Sequence, residues 1–332
     1  MRIFRHYRDV PDDCRGGVIT LGNFDGFHRG HQAVLGEAAA IAARREIPLA
    51  VLTTEPHPRD FFTPSREPFR LTPFRPKAHC FETFGVDYLY VLPFDRELAA
   101  MPAQDFVLDV LLGALGAAEI VVGYDYRFGI KRGGGPEVLR WMGEMEGFGV
   151  TVTGPVGENG DIFSSTLIRD HLRSGRPRRA ADLLAHWWAI EGRVSEGDRR
   201  GRTIGFATAN LVPEEYLQPK LGVYAVRATV LDGPHAGCYE GVANFGRRPT
   251  FAKFGDDRAV LEVHLFDFSG DIYGAHIKVD FVDFIRPERK FDGLDSLKDQ
   301  IGKDCADARE ILAQPDNAAD HFPVIMRTAR QT

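Results

Sequence analysis

The sequence predicts two domains of different class. An N-terminal α/β unit on a Rossmann-like parallel sheet spans residues 1–186, and a C-terminal closed β-barrel with a terminal helix spans 187–332. Three observations carry this. A chain of 332 residues reaches the length at which one core usually stops growing. Residues 17–156 repeat a strand-then-helix rhythm. From about residue 189 that rhythm gives way to successive strand-like stretches.

Taken in order, apolar runs near 17–22, 48–54, 87–92, 119–124 and 150–156 read as strands. Between the first two, residues 31–46 set Val34, Ala38 and Ile41 on one stripe with Leu35, Ala39 and Ala42 beside it, the period of a helix. Alternation of this kind predicts a parallel sheet covered by helices, with ligands at the C-terminal ends of its strands. The stretch 183–189, LLAHWWA, reads as the junction. Beyond it, 189–196, 222–232, 238–246, 259–268 and 276–285 are strand-like and separated by Gly, Asp and Pro turns. Closing a barrel removes the edges of such a run. The terminal helix is expected over 295–312, where Leu297, Ile301, Ala308 and Ile311 recur at helical spacing.

A composition of 44% hydrophobic and 27% charged residues fits a globular protein, and the net charge of −6 gives no basic face for long nucleic acid. Arg173, Arg176, Arg178 and Arg179 read as a solvated helix end. Cys14, Cys80, Cys238 and Cys305 are too scattered for a disulfide framework or a CxxC site, as expected of free thiols in a reducing compartment. The start of the chain is charged, and no segment has the length and apolarity of a membrane span. The expectation is a cytoplasmic protein with small-molecule substrates, neither nucleic acid nor membrane as a partner, and homo-oligomerisation left open.

The segment Gly22-Asn23-Phe24-Asp25-Gly26-Phe27-His28-Arg29-Gly30-His31 leads from a strand through a glycine-rich turn into a helix. Such glycines let the backbone turn sharply and approach a ligand, and the helix start points free N–H groups at an anion. Two imidazoles there can hydrogen-bond a polyphosphate as charge develops during transfer. The plain alternative is a structural histidine pair. A zinc site lacks a third ligand at suitable spacing, and no GxxxxGK[ST] loop is present. Ser164-Ser165-Thr166-Leu-Ile-Arg169 opens a further helix, where hydroxyls either cap free amides or hold a phosphate and Arg169 can add a charged contact. Gly123-Tyr124-Asp125-Tyr126-Arg127-Phe128-Gly129 ends the fourth strand on the same expected face.

In the C-terminal half, a glycine-punctuated loop from Arg200 through Gly201 and Gly205 leads to Thr208 and Asn210. If extended, this segment projects Thr208 and Asn210 to one side, so a hydroxyl and an amide oxygen could share a hard cation such as Mg²⁺ on ATP phosphates. A simple Thr/Asn turn is the alternative. On the strand Val260–Phe268, Leu261, Val263 and Leu265 form an apolar face, with Glu262, His264 and Phe266 on the other. Phosphorylating a primary alcohol needs a base for its proton, a role a glutamate fits. An outward, salt-bridged Glu262 is the alternative.

GNFDGFHRGH, the TEPHPRDFF stretch at 54–62, VGYDYRFG at 122–129 and SSTLIR at 164–169 resemble the adenylyltransferase module of prokaryotic bifunctional riboflavin kinase and FAD synthetases, a nucleotidyltransferase fold. The resemblance implies FAD and pyrophosphate from FMN and ATP. His28 and His31 would stabilise the ATP phosphates; Gly22, Asn23, Phe24, Asp25, Gly26, Asp125, Ser165, Thr166 and Arg169 would bind nucleotide; Pro56, Pro58 and Phe62 would lie near the flavin. The family usually has Phe where Thr54 stands.

GRTIGFATANL, GVYAV at 222–226, GVANFGRRPTF at 241–251, LEVHLFDFSGDIYG at 261–274 and FIRPERKF at 284–291 resemble the riboflavin kinase module of the same family, in the same order. That implies Glu262 as catalytic base, Thr208 and Asn210 as holders of Mg²⁺ and ATP, and the Gly201–Phe206 loop over the nucleotide. Two departures stand out: Ala207 replaces a usual proline, freeing the backbone before Thr208, and LLAHWW replaces the usual junction text. Rival readings are a chain in which one module has decayed, the kinase being the suspect, a different nucleotidyltransferase such as a cytidylyl- or pantetheine-phosphate adenylyltransferase, and a non-catalytic barrel that binds an oligonucleotide or partner.

Overall fold

The computed structural model describes residues 1–63, 67–158, 161–195, 206–247 and 259–322. Its contacts divide into two units. The described parts of the first are 1–63, 72–158 and 161–164; those of the second are 67–71, 165–195, 206–247 and 259–322.

In the first unit, strands β1 (Arg2–Phe4), β2 (Val18–Leu21), β3 (Leu49–Glu55), β4 (Tyr88–Pro93), β5 (Glu119–Gly123) and β6 (Gly149–Thr153) form one sheet in the order β1-β4-β3-β2-β5-β6. Every adjacent pair is parallel. The helices are α1 (Arg29–Arg45), α2 (Pro58–Phe62), α3 (Phe74–Phe84), α4 (Arg96–Ala100), α5 (Ala103–Asp105, continued by π-helical turns over Phe106–Ala114) and α6 (Pro136–Glu146). A small hairpin, β7 (Gly157–Glu158) and β8 (Asp161–Ile162), follows. All four residues of β2 are buried, which is why it reads as a continuous apolar run. Alternate side chains serve two cores: Ile19 and Leu21 pack with Val107 and Leu139 on one face, and Val18 packs with Leu35 and Phe81 on the other.

The chain builds outward from β2 to β3 and β4, then restarts with β5 on the opposite side. The crevice at the C-terminal ends of β2 and β5 is therefore a topological switch point, the place where ligands bind in open parallel sheets. Helix α1 stops at Glu46, a left-handed residue (φ 54°) whose N–H caps the Ala42 and Ala43 carbonyls, with Arg44 and Arg45 favourably placed in its last turn.

The second unit contains α7 (Ser165–Arg173), α8 (Pro177–Leu184), β9 (Ala189–Arg193), β10 (Ala209–Leu211), β11 (Gly222–Val230), β12 (Gly237–Arg247), β13 (Ala259–Leu265), β14 (His276–Arg286) and α9 (Leu294–Leu312). The strands run antiparallel in the order β10-β13-β12-β11-β14-β9. Ser195 N–H donates to the Asn210 carbonyl at 2.9 Å, linking the two outer strands so that the barrel is nearly closed. Ala308 and Leu312 of α9 pack against Val223, Ala225 and Val282, and Asp304 accepts two bonds from the Arg286 guanidinium, at 2.8 and 2.7 Å.

By contacts, α7 and α8 group with the second unit, so the contact division falls between Ser164 and Ser165. The reason is packing: Ala181 of α8 belongs to the barrel-side core, and the Lys220 N–H donates to the Leu172 carbonyl at 3.0 Å. Residues 67–71 join the same unit, with the Trp188 indole N–H donating to the Leu71 carbonyl at 2.9 Å. In the basic run, Arg178 donates to Asn317 Oδ1 at 3.1 Å beneath the Trp187 ring, a structural cation, while Arg173, Arg176 and Arg179 are exposed. Among the described residues no helix is long and apolar enough to cross a membrane.

Candidate active sites

In the first unit the turn after β2 is tightly wound. Phe24 and Phe27 hold left-handed conformations (φ 51° and 45°) around Gly26 (φ 89°), a cost that their burial against Phe81 offsets. This geometry delivers His28 to the cap position of α1 and His31 to its first turn, with the rings stacked at 3.7 Å between centroids. Gly30 permits the stack, since a Cβ there would stand 3.0 Å from His28 Cε1 and 3.1 Å from its Nδ1.

His31 Nδ1 is buried with no hydrogen-bond partner among the described residues. Burial first, then the His28 ring and the Lys77 ammonium, hold His31 well below its ordinary pKa of 6.5. It is therefore neutral at neutral pH. An unpartnered buried nitrogen at a helix start is a polar group prepared for a ligand.

The other expected residues divide into groups. Asp25 is buried and its Oδ1 accepts the Thr72 N–H at 2.9 Å, so this carboxylate braces the turn. Asn23 Oδ1 accepts from the Thr54 hydroxyl at 3.3 Å. Threonine at 54 thus orients the asparagine at the end of the neighbouring strand. Asp125 is exposed beyond β5, with its Oδ1 beside Gly123. Ser165, Thr166 and Arg169 open α7 in the second unit, where Arg169 Nε donates to the Phe69 carbonyl at 2.9 Å.

A cavity of about 640 Å³ opens at the C-terminal edge of the first sheet. Gly22 and Asn23 line it, as do Pro58 and Phe62; Pro56, Phe24 and Gly26 do not. Phe62 is 65% exposed and meets Phe94 edge-on at 5.6 Å, leaving an aromatic face open to a planar guest. Arg59, Arg127, Lys131 and Arg132 line the same cavity and make part of it cationic.

Sequence reasoning did not single out Lys77. It is buried on α3, and its ammonium donates to Glu55 Oε1 at 3.0 Å and to the Asn23 carbonyl at 3.3 Å, tying the ends of β2 and β3 together. The available signal was a lysine among the otherwise apolar inward positions Ala78, Phe81 and Phe84 of α3.

In the second unit the register places Asn210 of β10 directly opposite Glu262 of β13, and Glu262 opposite Asn244 of β12. Three polar side chains from three strands thus share one rung and one face. Thr208 precedes β10 by one residue and lies on the same side if the extended backbone continues. Thr208 and Asn210 line a cavity of about 460 Å³ with His264 and the 268–273 turn, whereas Glu262 is beside it and does not line it. Asn210 Oδ1 is buried without a hydrogen-bond partner among the described residues, which makes it available as a hard-oxygen ligand. Asn244, not anticipated from sequence, donates to Glu288 Oε1 at 3.2 Å. Gly201 and Gly205 lie outside the described residues.

A family model described as FAD synthetase matches residues 10–167 and one described as riboflavin kinase matches residues 184–312. The chain is 43% identical to the bifunctional riboflavin kinase/FMN adenylyltransferase of Escherichia coli K12, over 94% of this chain and 98% of that one. It is 39% identical to the protein of the same name from Bacillus subtilis, over 90% and 93%. A crystal structure described as a macrolide-efflux protein from Streptococcus pneumoniae superposes with a TM-score of 0.77 at 32% identity, covering 91% of this chain and 96% of that one.

Proposed function

The chain belongs to the bifunctional riboflavin kinase/FMN adenylyltransferase family, and we propose from that premise how its residues divide the work. Its C-terminal part phosphorylates riboflavin with ATP to give FMN, and its N-terminal part adenylylates FMN with ATP to give FAD and pyrophosphate.

The observation that carries the adenylyltransferase assignment is the stacked imidazole pair at the start of α1, at the sheet's switch point. As an FMN phosphate oxygen attacks the α-phosphorus of ATP, the bond to pyrophosphate breaks and negative charge gathers on the leaving oxygens. Neutral His31 and its neighbour His28 offer ring N–H groups to those oxygens. The backbone of Gly22, Asn23, Phe24 and Gly26 shapes the nucleotide cradle, with Asp25 as its brace. Asp125, Ser165, Thr166 and Arg169 are assigned to nucleotide binding, Pro56, Pro58 and Phe62 to the flavin side.

In the kinase, Glu262 is assigned as the base that takes the proton of the riboflavin primary hydroxyl as its oxygen attacks the γ-phosphorus, with ADP leaving. Thr208 and Asn210 fit a magnesium site: a hydroxyl two residues from a buried amide oxygen that has no hydrogen-bond partner among the described residues is a hard-oxygen donor set. Mg²⁺ bound there would neutralise phosphate charge during transfer. Gly201 and Gly205 are assigned to the nucleotide loop. A cytoplasmic location agrees with the free state of all four cysteines.

Flavin chromatography tests the reading directly. The protein is incubated with Mg-ATP and, separately, riboflavin or FMN. FAD from both tubes is expected; FAD from FMN alone would mean a silent kinase, and no new flavin in either would overturn both assignments.

A further inference from the structure

We infer that His264 is a positioning residue for the kinase reaction: its Nδ1–H fixes the Ala207 carbonyl and thereby holds Thr208 and Asn210 in line with Glu262. The inference rests on the assignment of Thr208, Asn210 and Glu262 to the kinase site.

The geometry is specific. His264 Nδ1 lies 2.8 Å from the Ala207 carbonyl oxygen. A carbonyl can only accept, so this nitrogen carries the proton and, in the neutral ring, Nε2 is left as an acceptor. The imidazolium keeps the same bond, so the anchor survives a change of protonation. Phe206 and Phe266 meet the ring edge-on at 5.3 and 6.1 Å and limit its rotation.

The register explains why this bond reaches the reacting groups. Ala209 pairs with Val263 and Asn210 with Glu262. Continuing the ladder sets Thr208 opposite His264, on the face that Glu262 shares. His264 therefore ties the entry to β10 onto the strand that carries the base. Ala207 leaves its own backbone free to rotate, and a bond to its carbonyl supplies a restraint its side chain does not. A site held this way keeps its donor set aligned before nucleotide arrives. His264 also lines the cavity with Thr208 and Asn210.

Three variants of the full chain separate this role from simple packing. Asparagine places an amide N–H near the position of Nδ1, glutamine reaches instead toward that of Nε2, and leucine has no donor. With His264→Asn, riboflavin kinase activity should stay within about twofold of the parent. His264→Gln and His264→Leu should each lose roughly tenfold in kcat/KM for Mg-ATP, about the most that one hydrogen bond contributes, with FMN adenylylation unchanged. Nitrogen-15 NMR of the unaltered protein without nucleotide should show the His264 ring protonated at Nδ1. An Nε2–H tautomer, equal losses in the asparagine and glutamine variants, an unaffected leucine variant, or parallel loss of adenylylation would each overturn the proposal. Failure of the underlying assignment reads differently: Glu262→Gln would then retain kinase activity whatever the His264 variants do.

Discussion

The first site is built from neighbours in sequence and the second from neighbours in space. Between Gly22 and His31 one strand end, one turn and one helix start carry the groups proposed to face phosphate, and the turn's strained residues are buried to hold them there. In the barrel, Asn210, Glu262 and Asn244 come from three strands and meet only because the register places them on one rung. A contiguous turn fixes its residues by local dihedral angles, whereas a rung fixes them by pairing across the sheet. The first arrangement should be sensitive to single backbone changes, the second to changes in the anchors of its strands.

Substitutions at the reacting groups should separate the sites most sharply. His28→Ala should lower FMN adenylylation by about 10²–10³-fold, and Glu262→Gln should lower riboflavin phosphorylation by about 10²–10⁴-fold. Each should leave the other reaction within twofold in steady-state assays. Gly30→Ala tests the backbone argument: its Cβ would press on the His28 ring, so adenylylation should fall roughly tenfold with the kinase untouched, since displaced catalytic groups lose rate steeply. Thr54→Val removes the hydroxyl that orients Asn23. A rise of about two- to tenfold in the adenylylation KM for ATP is expected from one lost hydrogen bond to a nucleotide-side residue.

The smallest effect is on stability. His31 is held below its ordinary value of 6.5, so on acidification through that value the unfolded chain takes up a proton that the folded one refuses. Stability of the first unit should therefore decline as pH falls below about 6.5, and less in His31→Gln. Hydrogen exchange in α1 at pH 7.5 and 5.5 measures it; an identical decline in both proteins would remove His31 as the cause.

The βα rhythm was legible because β2 and its partners are buried on both faces, and α1 because Val34, Ala38 and Ile41 must all reach one core. Four strands were not anticipated, among them β7 and β8, which are two residues each. β1 is three residues long, too short for a pattern, and β10 takes its identity from pairing with β13. The histidine pair could be read from spacing and context. Thr208, Asn210 and Glu262 were singled out from spacing and alternation but kept a plain alternative until the resemblance was weighed, since an alternating strand says which face a residue occupies and not what lies opposite. Lys77 escaped notice because its partners, Glu55 and the Asn23 carbonyl, lie far away in sequence. The packing of α8 on the barrel was not legible because α7 and α8 continue the helical rhythm of the first half.

The central claim is that one chain holds two separable sites, and a mixing experiment tests it most directly. His28→Ala and Glu262→Gln proteins are each incubated with riboflavin and Mg-ATP, alone and then together, and FAD is measured by chromatography. Little FAD is expected from either alone, with FMN accumulating in the first, and FAD should appear on mixing as FMN passes from one protein to the other. If the mixture makes no more FAD than the separate proteins, while both remain folded, the division of labour described for the two sites is wrong.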